Sequence, residues 1–208
     1  MSSDSDQPEF WEASFAEKQA MWGFAPANSA LVARDWFVEH AVRQVLVPGM
    51  GYGRNAQVFT EAGMTVTGIE LSQTAIDLAR QHYGGALTIY HGSVTAMPFD
   101  NCQYQGIFCH ALIHLLDGNE RKKFLHDCYR QLSPDGCMVF STISKQAPAY
   151  GQGRLISPDR YERFAGAPIF FYDRESIRAE FGDVGLVAIR EIEENQPFYL
   201  IQCRKGPP

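Results

Sequence analysis

The spacing of apolar residues changes twice along this chain. Before residue 40 they fall at helical intervals. Phe10, Trp11, Phe15, Ala16 and Trp22 predict an amphipathic helix over Pro8–Trp22, and Leu31, Val32, Trp36 and Val38 predict a second, capped by Asn28 or Ser29 and running to His40. Gly23-Phe24-Ala25-Pro26 separates the two, and Trp11 and Trp36 read as core anchors for these helices. From Val42 onward short β-type runs alternate with helical stretches. Strands are expected at Val45–Val47, Met64–Glu70, Leu87–His91, Gln105–Cys109 and Cys137–Thr142, with helices at Arg54–Ala62, Ser72–Tyr83 and Asn119–Leu132. Asp173 then caps a helix to Phe181, and the extended runs Leu186–Glu193 and Phe198–Cys203 close the chain as a hairpin. Strands alternating with helices impose right-handed crossovers and a parallel sheet covered on both faces. The expectation is one α/β domain over 1–208, with a doubly wound, seven-stranded, mostly parallel sheet, an antiparallel C-terminal hairpin and an N-terminal helical lid over 1–40.

One stretch breaks the rhythm. Residues 145–170 carry Pro148, Gly151, Gly153, Pro158, Gly166 and Pro168 among Tyr150, Tyr161, Phe164 and Phe170, which predicts a long aromatic loop beside a substrate. The Glu191–Glu194 cluster reads as a solvated strand end.

Composition narrows the function classes. The 208 residues are 45% hydrophobic and 20% charged with a net charge of −6, and Lys and Arg form no stripe, so a partner tracked through its phosphates, such as nucleic acid, is not expected. Met1–Gln7 lacks the basic and apolar regions of a signal peptide, and no apolar run is long enough to span a bilayer, so a cytoplasmic protein without a membrane partner is expected, as a monomer or homodimer. The five cysteines are odd in number and free of CxxC spacing, which predicts buried free thiols in place of disulfides or a metal site.

The chemistry gathers where the first strand empties into Gly49-Met50-Gly51-Tyr52-Gly53-Arg54-Asn55. Glycines there let the backbone approach a ligand, and the following helix turns free N–H groups toward it. A dinucleotide fingerprint would need a third glycine where Arg54 stands, so a nicotinamide-dependent oxidoreductase ranks last. Glu70 ends the second strand about twenty residues on, where a carboxylate accepts from both hydroxyls of an adenosine ribose. His91-Gly92-Ser93-Val94 ends the third strand and can flank an adenine, with Ser93 Oγ at the exocyclic amine and Val94 N–H at a ring nitrogen.

Taken in order, these residues resemble the class I S-adenosylmethionine-dependent methyltransferases, on a Rossmann-like core. The resemblance covers Val45–Ser144: the glycine motif Val47–Gly53, the ribose acid Glu70, the adenine segment Gly92–Phe99, the fourth-strand segment Ile107–Leu116, and Leu132-Ser133-Pro134-Asp135-Gly136, which is similar to the family's turn before its fifth strand. Val47-Pro48 stands where the family carries an acid, and Ser93 where it often has Asp. Leu46-Val47-Pro48-Gly49 is similar to the thiopurine and halide/thiol branch, and Gly53-Arg54-Asn55-Ala56 with Phe170–Phe181 to the tellurite-resistance branch; both branches act on small molecules.

The resemblance implies S-adenosyl-L-methionine as cofactor, held by Trp22, Gly49, Gly51, Gly53, Asn55, Glu70, Leu71, Ser72, Ser93, Val94, Cys109 and His110, with a backbone carbonyl such as that of Gly49 for its ammonium. It implies a small-molecule methyl acceptor, for which Phe24, Tyr150 and Phe170 offer an apolar pocket; His114, at the end of the fourth strand where such folds place their sites, is the first candidate to touch it, the alternative being that it only orients a loop. His110 and His114 are spaced like metal ligands but lack a third partner, so no metal is expected. The competing expectation is a binding module that keeps the cofactor pocket without turnover, suggested by Val47 and by the lack of an evident base.

Overall fold

The computed structural model describes residues 6–163 and 167–207 of the chain. The strands run β1 (Gln44–Pro48), β2 (Thr65–Glu70), β3 (Thr88–His91), β4 (Tyr104–His110), β5 (Leu132–Ile143), β6 (Arg154–Ser157), β7 (Arg160–Arg163), β8 (Ala167–Phe170), β9 (Leu186–Glu193) and β10 (Pro197–Arg204). The helices are α1 (Asp6–Lys18), α2 (Asn28–Glu39), α3 (Gln57–Glu61), α4 (Gln73–Tyr83), α5 (Gly118–Gln131) and α6 (Arg174–Phe181). Seven strands form the expected sheet in the order β3-β2-β1-β4-β5-β10-β9. The first five are parallel, and β10 inserts antiparallel between β5 and β9.

Side chains alternate across this sheet, and both faces are covered. Leu46, Ile107, Cys109, Met138 and Phe140 join Phe124 of α5 and Ile177 and Phe181 of α6 in one core. Their sequence neighbours Val45, Val47, Phe108, Cys137 and Val139 join Ala33 and Phe37 of α2 and Phe59 of α3 in the other. Two buried faces are why these strands read as continuous apolar runs.

Tertiary contacts move several expected boundaries. α1 stops at Lys18, because Gln19 adopts a left-handed φ of +52° and residues 19–22 form turns. The N-terminus of α2 is capped neither by Asn28 nor by Ser29: Ala27 holds the cap position, and Glu194 from the β9–β10 turn accepts the N–H groups of Asn28 at 3.0 Å and Ser29 at 2.9 Å. Glu194 is therefore a helix cap, not a solvated strand end, and Glu191 meets Arg174 at 3.5 Å. The helix expected from Arg54 starts at Gln57, the one expected from Asn119 starts at Gly118 behind a capping box of Asp117 and Glu120, and β5 begins already at Leu132. Cys102 is exposed, while the other four thiols are buried as expected; all are free.

The largest departure is at 145–170. Instead of an irregular loop, β6, β7 and β8 form an antiparallel sheet, with Tyr161 opposite both Leu155 and Ile169. A charged knot fastens it to the core: Lys145 Nζ donates to Asp159 Oδ2 at 2.7 Å and Asp173 Oδ2 at 2.6 Å, and Tyr150 Oη donates to Asp159 Oδ1 at 2.7 Å. Pro158 stands in the turn between β6 and β7, whereas Pro168 lies within the edge strand β8, opposite Glu162.

A second fastening lies under β8. Arg121 is buried, donates to both oxygens of Glu180 and to Leu116 O at 3.1 Å, and stands 4.0 Å above the Phe170 ring. Tyr172 Oη completes the set by donating to Glu180 at 2.7 Å. Replacing Arg121 by Met strips this carboxylate of its cation and leaves a buried carbonyl without its donor. We expect a loss of about 3 kcal/mol in urea unfolding, from the cost of breaking a buried ion pair on one side.

Candidate functional site

Beside β1 the strand order reverses, since β2 follows on one side and β4 lies on the other, and in open α/β sheets that switch point is where a crevice forms at the carboxyl ends. The turn leaving β1 is held to β2 by Gly49 and Met50, which donate to Ile69 O at 2.8 and 3.2 Å. Gly49 has a φ of +65°, and a Cβ there would sit 3.0 Å from Leu112 of the β4 loop, so both backbone shape and space require glycine. Gly51 and Gly53 also take left-handed φ values, +56° and +88°.

Glu70 organises the crevice. Its carboxylate is buried and accepts from Gly51 N–H at 2.7 Å, Leu71 N–H at 2.8 Å and Ser72 N–H at 2.9 Å. Burial pushes this carboxyl above its ordinary range, and the three N–H groups pull it the other way. Ser72 caps α4 by accepting from Ala75 N–H. Its own hydroxyl donates to Glu12 of α1 at 2.6 Å, and Thr74 Oγ1 donates to the same carboxylate. Ser93 caps the short turn Val94–Ala96 through Thr95 N–H, with Val94 buried beneath it.

The N-terminal helices are tied to the glycine turn itself. Tyr52 Oη donates to Gly23 O at 2.6 Å and accepts from Trp22 N–H, Arg54 donates to Ala25 O at 3.0 Å, and Asn55 Oδ1 accepts from Ala27 N–H at 2.9 Å. Trp22 stacks on Tyr52 with centroids 6.3 Å apart and stays 45% exposed, so it is an open wall, not a core residue.

The end of β4 is the other wall. His110 Nδ1 lies 3.0 Å from Ser29 Oγ of α2 and 2.7 Å from Ser141 Oγ of β5, with Phe108 and Phe198 stacked on its two sides. His114 is buried; its Nδ1 lies 3.1 Å from Thr142 Oγ1 and accepts Ile143 N–H at 3.4 Å. Desolvation lowers His110 to about 4, against the pull of Glu194, and His114 to about 3. Both rings are neutral at physiological pH. Cys109 beside them is sealed in the core, and burial pushes its thiol far up.

The structure thus gathers Gly49, Gly51, Gly53, Asn55, Glu70, Leu71, Ser72, Trp22, Cys109, His110 and His114 around the carboxyl ends of β1, β2 and β4. Of the expected acceptor-pocket residues, Phe24 lies edge-on to Tyr52 of the glycine turn, with centroids 5.8 Å apart. Phe24 also stacks on His82 at 3.9 Å, Tyr150 packs on Tyr161 and Phe171, and Phe170 lies under Arg121. Sequence reasoning missed Tyr52, Ser29, Ser141, Thr142 and Glu12. Tyr52 had a signal, being the aromatic inside the glycine motif; Glu12 and Ser29 had none, since their partners lie 60 and 81 residues away.

Comparison with known proteins agrees with this geometry. A family model described as a methyltransferase domain matches residues 46–140. The chain is similar to the ubiquinone biosynthesis O-methyltransferase of Actinobacillus pleuropneumoniae, 32% identical over 117 residues that cover 52% of this chain and 49% of that protein. It is also similar to a probable S-adenosylmethionine-dependent methyltransferase of Mycolicibacterium smegmatis, 24% identical and covering 76% of this chain and 60% of that one. The chain therefore spans about half to three fifths of the length of these curated relatives. Among solved structures, the Burkholderia thailandensis 1,6-didemethyltoxoflavin-N1-methyltransferase, with bound 1,6-didemethyltoxoflavin and S-adenosylhomocysteine, shares the fold with a TM-score of 0.76 at 17% identity, covering 99% of this chain and 92% of that one.

The two neutral histidines set a pH dependence. Unfolded, each ring protonates below about 6.5; folded, they stay neutral down to about 4 and 3. Unfolding therefore takes up protons in that window, and their contribution to stability is full above pH 6.5 and is lost as pH falls toward 4. Urea titrations from pH 7 to 4 are expected to show a falling unfolding free energy with a slope of about two protons, reduced to about one in His114→Gln.

Proposed function

We propose that this chain, whose 46–140 stretch matches the methyltransferase-domain family and whose sheet has the class I fold, transfers the methyl group of S-adenosyl-L-methionine to a small-molecule acceptor. In this reading the chain is one methyltransferase domain, with 1–40 as lid, 41–208 as core and 145–170 on the acceptor side. It works in the cytoplasm without nucleic acid or membrane. The likeness to the tellurite-resistance, thiopurine and halide/thiol branches belongs to the same reading.

The observation that carries it is Glu70. A carboxylate buried at the tip of β2, the strand beside the glycine turn, holds three N–H donors, two on Oε1 and one on Oε2, and keeps about one lone-pair site, on Oε2, for a ligand hydroxyl. A second feature is consistent with the cofactor: Gly49 holds a left-handed φ at the end of β1, which brings bare backbone to the mouth of the crevice. Gly49, Gly51 and Asn55 would hold its amino-acid end, Glu70 its ribose, and Ser93 with Val94 its adenine. Val47 cannot replace the family's acid, because its side chain is buried in the core that α2 and α3 cover.

When bound, the cofactor supplies a methyl group already activated by its positive sulfur. What this chain adds is orientation and dryness: Trp22 and Tyr52 wall the turn, and α1 and α2 are latched across it by Glu12 and Ser29. Holding two reactants in line can supply roughly 7–11 kcal/mol.

Isothermal titration with S-adenosylhomocysteine is expected to give saturable binding, weakened at least tenfold in Glu70→Ala through loss of charge-assisted hydrogen bonds. Absence of binding in the native chain would refute the reading. Product formation in a screen of thiols, phenols, amines and metalloid oxyanions separates an enzyme from a silent binding module.

A further inference from the structure

The carboxyl end of β4 holds two imidazoles, and the hydrogen bonds around them decide what chemistry they can do. A backbone amide has a proton to give and no lone pair, so the bond from Ile143 N–H makes His114 Nδ1 the unprotonated nitrogen. Thr142 Oγ1, 3.1 Å away, is then a second donor to the same atom. The neutral ring must carry its proton on Nε2. Among the described residues no group bonds Nε2, and it is not one of the enclosed polar atoms left without a partner. This edge of the ring is therefore not fully enclosed, although the residue as a whole is only 5% exposed.

Other groups at this end of the sheet are also committed. Glu70 is held by three N–H donors, Glu194 by two, and Glu12 by the start of α4. His110 presents Nδ1 to the hydroxyls of Ser29 and Ser141, and the Cys109 thiol is enclosed. With both rings neutral and of such low basicity, none of these side chains among the described residues is matched to accept a proton near neutrality.

We propose, resting on the methyl-transfer reading above, that His114 is a hydrogen-bond donor through Nε2–H, and that the site takes acceptors whose reacting atom arrives already unprotonated, as in thiolates and acidic phenolates. The acceptor's lone pair forms the bond to the methyl carbon while the electron pair of the carbon–sulfur bond stays with sulfur. No proton is left for the protein to remove. His114 stabilises the bound anion, and the burial that weakens it as a base also keeps its N–H in a fixed direction. The titratable group acting on it is His110 from β4, which itself feels Glu194 from the β9–β10 turn and Arg54 from the glycine turn. Arg160 from β7 and Arg121 from α5 lie on the carbonyls of Leu115 and Leu116.

Nitrogen-15 NMR of the histidine-labelled chain tests the donor role without turnover. The expected spectrum shows His114 as the Nε2–H tautomer, unprotonated down to pH 5. An Nδ1–H tautomer, or titration near pH 6.5, would overturn the proposal. In turnover with thiophenol, 4-nitrophenol and 2-mercaptoethanol as probes, kcat/KM is expected to rise with pH at a midpoint that moves with each probe's own acidity. A common midpoint for all three that disappears in His114→Gln would identify a protein base and sink the idea. Gln retains an N–H donor, so His114→Gln should keep activity within about tenfold while His114→Phe loses about a hundredfold; equal losses contradict donation. Calorimetry with S-adenosylhomocysteine on the same sample keeps the two readings apart: failure to bind removes the methyltransferase reading, whereas the wrong tautomer with intact binding removes only this one.

Discussion

A carboxylate buried at the end of a parallel strand must be met by donors or it will not stay charged, and Glu70 meets this demand with backbone alone. Gly51, Leu71 and Ser72 each turn an N–H toward it, which fixes the glycine turn, the end of β2 and the start of α4 relative to one another. The rest of the crevice is built outward from that point. Ser72 passes the constraint to α4 and α1 through Ala75 and Glu12, and Tyr52, Arg54 and Asn55 pass it to the chain between α1 and α2. The segment joining α1 to α2 is thus tied by polar bonds to the glycine turn, beside a small aromatic cluster of Phe15, Tyr52 and Trp11.

The second wall works by exclusion. Phe198 stacks on His110 and meets His114 edge-on, so one aromatic residue from the antiparallel strand β10 helps dry both imidazoles. Drying lowers their basicity, and the β5 residues Ser141, Thr142 and Ile143 supply their partners. The insertion of β10 beside β5 therefore reaches the chemistry as well as the fold. On the far side of β5, Lys145 and its two aspartates hold the accessory sheet, and Arg121 with Glu180 supports it from beneath.

The regular part of the structure was legible because it rests on local periodicity. Strands such as β1 and β4 announced themselves by apolar runs, α4 by its serine cap, and the switch-point turn by three spaced glycines. Glu70 could be placed because a strand's length fixes where its tip lies. The accessory sheet was not legible: its strands are four residues long, and proline and glycine, which mark hairpin turns, also mark irregular loops.

By itself, then, the sequence determined the doubly wound order of elements, the glycine turn, the acid at the tip of β2 and the histidines after β4, since each depends on residues close together in the chain. Only tertiary structure decided that Glu194 would cap α2, that Glu12 would hold the start of α4, and that His114 would carry its proton on Nε2. Those outcomes rest on donors and acceptors brought together from 29 to 166 residues apart. A hydrogen bond depends on distance and direction in space, and neither is written in the local pattern of apolar and polar residues.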